Sequence, residues 1–334
     1  MPPTARRRTP CPPPLAGSRQ DPAGGRPGTR PKGSVRIRVP ATSANLGPAF
    51  DCAGLALTCH DVVEFDVLPA GLQVEVTGVG AGELPTDESH LVVRAFRAAC
   101  AELGWTPPGL RVAAENGIPQ GRGMGSSAAA VVAGVLGAWA LCPHVEAVDD
   151  DAVLRLTTEL EGHPDNVAAC LLGGATLSWT TDGGARAARL RVHPEVRPVL
   201  LVPGATLSTH VARGLLPSTV PHADAAFAAG RAALLVHALT SAPGLLVAAT
   251  EDRLHQRQRA AGMPQSIALV DRLRGAGHAA VVSGAGPTVL VLVPRDDDVR
   301  EVGDLTPDGW TVRPLAVDPH GANVLESGRE ISSR

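Results

Sequence analysis

Residues 119–130 read PQGRGMGSSAAA. Glycine stands at every second position (121, 123 and 125), two serines follow, and alanines lead into a stretch, Ser126 to Leu141, whose pattern predicts a helix. Without Cβ at alternate positions the backbone turns freely through φ > 0 and brings its N–H groups close to a ligand. The first N–H groups of the following helix have no intrahelical acceptor, and the helix dipole puts partial positive charge at the same end. The segment therefore predicts a nest for a phosphate. Ser126 and Ser127 are placed to cap the helix, or to offer a hydroxyl to a phosphate or a metal. A Walker A loop is excluded, because no Gly-Lys-Ser/Thr follows. A dinucleotide fingerprint is excluded too, since the preceding strand and the G-x-G-x-x-G spacing are wrong. The plainer alternative is a glycine-rich loop that only caps a helix.

The chain around this segment has 334 residues, 44% hydrophobic and 19% charged, enough for one large domain or two medium ones with a packed core. A net charge of −3 supplies no field to recruit nucleic acid or an anionic membrane. There is no tyrosine, and four phenylalanines and four tryptophans leave little on which to stack bases. The cysteines, Cys11, Cys52, Cys59, Cys100, Cys142 and Cys170, form no C-x-x-C pair and none has a histidine at metal-ligand spacing. They predict reduced, mostly buried thiols and a cytoplasmic protein. No apolar run reaches the roughly 18 residues that a membrane helix needs.

Residues 1–33 are rich in Pro, Gly and Arg and poor in large apolar side chains, which predicts a disordered tail and, without an apolar core region, no secretory signal. Ordered structure is expected from VRIRV at Val35 onward. VVEFDV (62–67) and LQVEVT (72–77) read as a hairpin turning through Pro69 and Gly71. Helical spacing covers 90–103 and stops at Gly104, LRVAA (110–114) reads as a strand, and Ala152–Glu161 reads as a helix capped by Asp150 or Asp151. Strands are expected at 174–179 and 199–202, and helices near 223–241, 244–256 and 265–274. Two apolar strands joined by a glycine turn close the chain. The mixture predicts an α+β fold. A seam is expected near 185–197, where large apolar residues thin out.

Two further segments join the first: VPATSANLGPAFD (39–51) and SGAGPT (283–288). With these, and with EGHPDNVAACLLGG (161–174), the chain resembles the GHMP family of small-molecule kinases over roughly 35–325, with the motifs in the same order and at similar spacing. Within that family it resembles most the branch that phosphorylates the side-chain hydroxyl of L-homoserine. The resemblance implies ATP and Mg2+ as cofactors, L-homoserine as the small-molecule substrate and O-phospho-L-homoserine, on the route to threonine, as the product. It leaves a homodimer open. It also implies two lobes: residues 34–192 as an ATP-binding domain like ribosomal protein S5 domain 2, and 193–325 as a ferredoxin-like C-terminal domain. A kinase for another small alcohol such as mevalonate or a sugar is the alternative within the family, and an inactive metabolite-binding relative the alternative outside it.

The same resemblance implies the site. Pro119, Gln120, Gly121, Arg122, Gly123, Met124, Gly125, Ser126, Ser127, Ala128 and Ala129 would bind the nucleotide. Ser127 and a glutamate near the end of the helix at 152–161 would bind magnesium, Glu161 before Glu159. Carboxylates at a helix C-terminus are mildly unfavourable, and a bound cation would reverse that. An amino-acid acceptor needs both a cation and an anion in its pocket. Asn45, Asp51, His163, Arg213 and Arg259 fall on substrate positions, with Asp51 toward the ammonium and the arginines toward the carboxylate. Asp165 and Asn166 fall on the catalytic pair. Relatives use such an aspartate as base, whereas in the homoserine branch the γ-phosphate is described as taking the proton while the asparagine stabilises the transition state. Three departures stand out. Ala49 replaces a common glycine, which questions a turn needing φ > 0 before Asp51; Met124 replaces leucine; and RQR at 257–259 replaces Pro-Tyr-Arg. His60 and His255 are assigned no functional role.

Overall fold

The alternation that begins at Val35 forms β1 (Ser34–Ala44), which runs on through the PATSA motif. The computed structural model describes residues 33–325, so the tail expected over 1–33 lies, apart from Gly33, outside the described residues. β1 pairs antiparallel with β2 (Ala53–Leu68), which is followed by β3 (Gly71–Gly78), α1 (Leu91–Glu102) and β4 (Gly109–Asn116).

The hairpin expected from 62–67 and 72–77 does not form. β4 lies between the two strands, antiparallel to β2 and parallel to β3. The side chains explain the order. Leu110, Val112 and Ala114 of β4 are buried, as suits a central strand, whereas Gln73, Glu75 and Thr77 of β3 face solvent, as suits an edge. On the outer face Arg111 of β4 reaches Asp66 (2.8 Å) and Glu64 (3.3 Å) on one side and Glu75 (3.0 Å) on the other. That spread of charge favours a cation in the middle strand.

α2 (Ser126–Leu141) follows the glycine-rich loop and is buried on most of its surface, from Ala128 to Trp139. α3 (Asp150–Glu161) is capped one residue earlier than expected: the Asp149 carboxylate accepts from the Asp151 and Ala152 amides. α4 (Pro164–Leu172) starts on a proline, and β5 (Ala175–Thr181) then pairs with β2. The first part of the stretch expected as a seam near 185–197 forms strand β6 (Gly184–Leu190), an edge strand antiparallel to β5, and residues 191–196 connect it to the next strand. An edge strand with one open face needs few large apolar residues, which accounts for the thin composition of 184–190.

β7 (Arg197–Val202), α5 (Thr209–Gly214), α6 (His222–Thr240) and α7 (Leu246–Ala249) come next, then α8 (Pro264–Gly275), β8 (Ala279–Val282), β9 (Val289–Val293), α9 (Asp296–Asp304), β10 (Thr311–Pro314) and β11 (Asn323–Leu325). The helix expected over 244–256 is short and ends at Ala249. Beyond it the Asp252 carboxylate takes the amides of Leu254, His255 and Gln256 at 2.8–3.1 Å, a local alternative to helical bonding.

Two sheets result: β11-β1-β2-β4-β3, with β5 and β6 joined through β2, and β10-β7-β9-β8. The chain returns to the first sheet through β11. His60 Nε2 and Asp318 Oδ2, 2.6 Å apart, clamp this return, and Asp318 also accepts the amides of His320 and Gly321. Burial works to raise the Asp318 pKa, but these bonds outweigh it and take it down to about 2. Among the described residues no helix is long and apolar enough to cross a membrane.

Candidate active site

A cleft of about 380 Å³ runs from an apolar end at Val63, Leu84, Pro85 and Val92, past residues 119–127, to His163, Asp165, Arg213 and Arg259. Its middle is the glycine-rich loop. Gly121, Gly123 and Gly125 all have left-handed backbone, at φ 63°, 72° and 71°. At the last two nothing but glycine fits. A Cβ on Gly123 would meet the carbonyl oxygens of Ser283 and Gly286, and one on Gly125 the Thr42 hydroxyl. Gly125 is also the N-cap of α2, so neither serine caps the helix as one reading allowed.

The loop's carbonyls are all occupied from outside. Gly121 O accepts from Leu207 N (2.9 Å), Arg122 O from Thr288 N (3.3 Å), Gly123 O from Ser283 Oγ (2.6 Å) and Met124 O from Thr42 N (3.0 Å). The Arg122 side chain, rather than entering the cleft, is held by the carbonyls of Gln120, Pro203 and Gly204 at 3.0–3.1 Å. Among the described residues no acceptor takes the amides of 121–128, which are left for an anion. The approach to the loop is fixed by Asp61, whose Oδ1 accepts Gly117 N (2.8 Å) and Ile118 N (2.9 Å). Burial pushes its carboxyl up to about 6 against those bonds.

At the start of α2, Ser127 Oγ donates to Glu161 Oε1 at 2.5 Å. Burial raises the Glu161 pKa although the Ser127 bond lowers it, so this carboxylate is short of positive partners. Glu159, the second candidate, turns away and pairs with Arg155 at 3.1 Å. A hydroxyl and an under-compensated carboxylate open to a phosphate-sized cleft form an oxygen donor set that suits Mg2+, which commonly completes its shell with waters and phosphate oxygens.

Beside them Asp165 is buried, and its Oδ1 meets His163 Nδ1 (2.8 Å), the Asn166 amide (2.7 Å) and Asn166 Nδ2 (3.3 Å). Burial lowers the His163 pKa, but the bond and charge of Asp165 outweigh it and the ring ends above its ordinary value. Thr42 Oγ1 donates to Asn166 Oδ1 at 2.7 Å, which fixes the amide between Thr42 and Asp165.

The residues expected around the acceptor come together at the far end. Asn45 has φ 70° and uses both ends of its amide within the protein: Nδ2 donates to Gly284 O (2.9 Å) and Oδ1 accepts Asp51 N (2.9 Å). Asp51 and Arg213, expected at opposite ends of the acceptor, form a two-point pair at 2.7 and 3.0 Å. Both are about one-third exposed, so the pair contributes little and opens readily. Arg259 is 1% exposed and has no carboxylate in ion-pair reach among the described residues. Phe50 lies under both arginines, its ring centre 5.6 Å from the Arg213 guanidinium and 5.3 Å from that of Arg259.

The departures at 49 and 257–259 cause no strain here. The left-handed positions are Asn45, Leu46, Gly47 and Asp51, so Ala49 has ordinary backbone. Arg257 pairs with Asp271 and Gln258 with the Arg253 carbonyl, leaving only Arg259 turned inward. Sequence reasoning missed Thr42, Phe50, Asp61 and His255. The first two lie inside the quoted PATSANLGPAFD motif and were legible by position. Asp61 and His255 carry no sequence signal, since only burial gives them a partner.

Residues 90–174 match the GHMP kinases N terminal domain and residues 225–304 match the GHMP kinases C terminal domain. The chain is 55% identical over 293 residues to the homoserine kinase of Streptomyces coelicolor, covering 87% of this chain and 94% of that protein. It is 54% identical over 293 residues to the homoserine kinase of Streptomyces avermitilis, covering 87% and 96%. Its fold is similar to the crystal structure of homoserine kinase from Cytophaga hutchinsonii, with a TM-score of 0.78, 26% identity, and 88% and 98% of the two chains covered.

Proposed function

The chain belongs to the homoserine kinases of the GHMP kinase family, and from that premise we propose how its residues divide the reaction. The enzyme transfers a phosphoryl group from ATP to the side-chain hydroxyl of L-homoserine. In our reading residues 34–192 form the ATP-binding lobe and 193–325 the second lobe, with β11 returning to the first sheet. The free thiols at Cys52, Cys59, Cys100 and Cys170 support a reducing compartment such as the cytoplasm.

One observation carries the nucleotide assignment: every carbonyl from Gly121 to Met124 is bonded from behind, while the amides of 121–128 have no protein acceptor among the described residues. Those amides, with the N-terminus of α2, would hold the phosphates. Ser127 and Glu161 would hold Mg2+, which when bound would neutralise charge on the phosphate oxygens.

At the acceptor end the Asp51–Arg213 pair is the mirror of a zwitterion. An α-amino acid entering there would exchange one pair for two, its ammonium on Asp51 and its carboxylate on Arg213 and Arg259. His163, made more basic by Asp165, also lines the cleft. Asn166, locked by Thr42 and Asp165, would donate to the oxygen on which charge develops. The proton of the hydroxyl goes to Asp165 or to the γ-phosphate. Asp165→Asn separates these routes: a loss of kcat of about 10²–10⁴ marks a base, and a loss under about tenfold marks a carboxylate that only holds Asn166 and His163.

The test of the whole reading is ADP release with a panel of alcohols. L-homoserine is expected to give the largest kcat/KM; turnover of mevalonate or a sugar at a comparable rate would overturn the acceptor assignment. Ser127→Ala is expected to lower kcat by roughly 10–100-fold and to raise the Mg2+ concentration needed for half-maximal rate. Unchanged magnesium dependence would remove Ser127 from the metal site.

A further inference from the structure

Arg259 poses a physical problem. It is fully buried, burial and then the charge of Arg213 push its pKa down, and no carboxylate pairs with it among the described residues. A buried cation needs fixed acceptors. Its Nη1 has two: His255 Nδ1 at 3.1 Å and Gly284 O at 3.4 Å. Nε has none, and Nη2 donates to nothing in the described protein while the residue lines the cleft.

His255 is 0% exposed and, unlike Arg259, does not line the cleft. Its Nε2 lies 2.8 Å from Gly47 O. A carbonyl only accepts, so Nε2 carries the hydrogen. An arginine only donates, so Nδ1 is bare. The two neighbours together fix a neutral ring and a single tautomer, Arg259 N–H to Nδ1 and Nε2–H to Gly47 O. Burial keeps the imidazole pKa low in spite of Asp252, whose carboxylate is 3.9 Å away, and Arg259 adds to that lowering. Gly47 belongs to the loop that also carries Asn45, Phe50 and Asp51, and the Phe50 ring packs on His255 with centroids 5.1 Å apart.

We propose that His255 is a positioning residue for the acceptor's carboxylate: it grips Arg259 Nη1 from behind, registers the guanidinium against the 45–51 loop and leaves Nη2 to the cleft. The inference rests on the reading of Arg259 as a carboxylate ligand. It goes further, because it names the group that sets the direction of a ligand it never touches.

Steady-state kinetics on the intact protein test it with four variants: Arg259→Leu, His255→Phe, His255→Gln, and the Arg259→Leu, His255→Phe double substitution. Arg259→Leu is expected to raise the L-homoserine KM about 100-fold, with the ATP KM held within about threefold. His255→Phe, which keeps a ring but no polar atom, is expected to raise the L-homoserine KM about tenfold with kcat and the ATP KM within about threefold. His255→Gln, with one acceptor and one donor, is expected to stay within about threefold of the unsubstituted enzyme. In the Arg259→Leu background, His255→Phe is expected to add less than about twofold, because its effect passes through the arginine.

Failure takes distinct forms. A full tenfold effect of His255→Phe in the double variant, or an equal rise in the ATP KM, would overturn the positioning role while leaving Arg259 a ligand. An unchanged L-homoserine KM in Arg259→Leu would instead overturn the reading of Arg259. If His255→Phe does not accumulate as folded protein, His255→Leu is read in its place, with thermal unfolding of each variant as the check on folding.

Discussion

At residues 121–128 the cleft presents backbone: amides with no protein acceptor among the described residues, a helix end, and glycines at left-handed φ. Around Asn45, Arg213 and Arg259 it presents side chains: two guanidiniums, with the Asp51 carboxylate paired to the first and the Phe50 ring beneath both. The difference follows from what each end would meet. Phosphate oxygens are alike in every nucleoside triphosphate, and amides fixed by the fold serve them without side-chain entropy to lose. An amino acid carries opposite charges a few bonds apart, and only charged side chains distinguish that pattern from other alcohols. Substitutions should therefore separate: shape matters at one end, charge at the other.

The sharpest attempt to break this contrast is Gly125→Ala, a methyl group with no change in charge. The residue has φ 71°, and its Cβ would collide with Thr42 and sit 3.2 Å from Asn166 Oδ1. Left-handed backbone costs an alanine about 1–2 kcal/mol before any clash is counted. We expect kcat/KM for ATP to fall at least about 10³-fold. Calorimetry should show nucleotide binding lost while thermal unfolding still reports a folded protein. Retained binding would mean that the loop's shape is not what holds the phosphates.

The converse change keeps shape and removes charge. Asp51→Asn preserves volume, and asparagine tolerates the φ of 56° found here. It strips Arg213 of its partner and, in the proposed arrangement, would strip the acceptor's ammonium of its counter-charge. We expect the L-homoserine KM to rise about 100-fold, matching the 1.5–3 kcal/mol of a hydrogen bond to a charged group, with the ATP KM within about threefold. Equal effects on both substrates would erase the distinction between the two ends.

The same contrast explains what could be read without a structure. The backbone of the loop was legible because its requirement is written locally: alternate glycines before a helix predict turns through positive φ, and Gly121, Gly123 and Gly125 all adopt it. The α+β class and most elements followed from periodicity. The failures were of two kinds, non-local pairing and side chains that compete with the backbone for its own amides. Nothing within 62–77 says that β4, some thirty residues later, will separate β2 from β3; that depends on burial of Leu110, Val112 and Ala114 and on Arg111 facing acids from both neighbours. Asp252 ended the 244–256 helix by capturing three amides, a competition that apolar spacing does not register. His255 had no role in the sequence because its role is its two partners, one of them a carbonyl 208 positions away.

Thr42 joins the two ends, and it sharpens the comparison where it is weakest. Its amide donates to Met124 O in the loop, and its hydroxyl donates to Asn166 Oδ1, next to the acceptor's network. Thr42→Val keeps the branched shape, so the loop and the fit beside Gly125 persist, and removes only the hydroxyl. Asn166 Oδ1, partly buried, then lacks its donor, and the amide is free to turn. The cost of one such bond is about 1–1.5 kcal/mol, so kcat is expected to fall about tenfold. Both KM values are expected to stay within about threefold, because neither the amides nor the charges have moved. A rise in the ATP KM instead would place the Thr42 hydroxyl with the loop, and Asn166 would then owe its orientation to Asp165 alone.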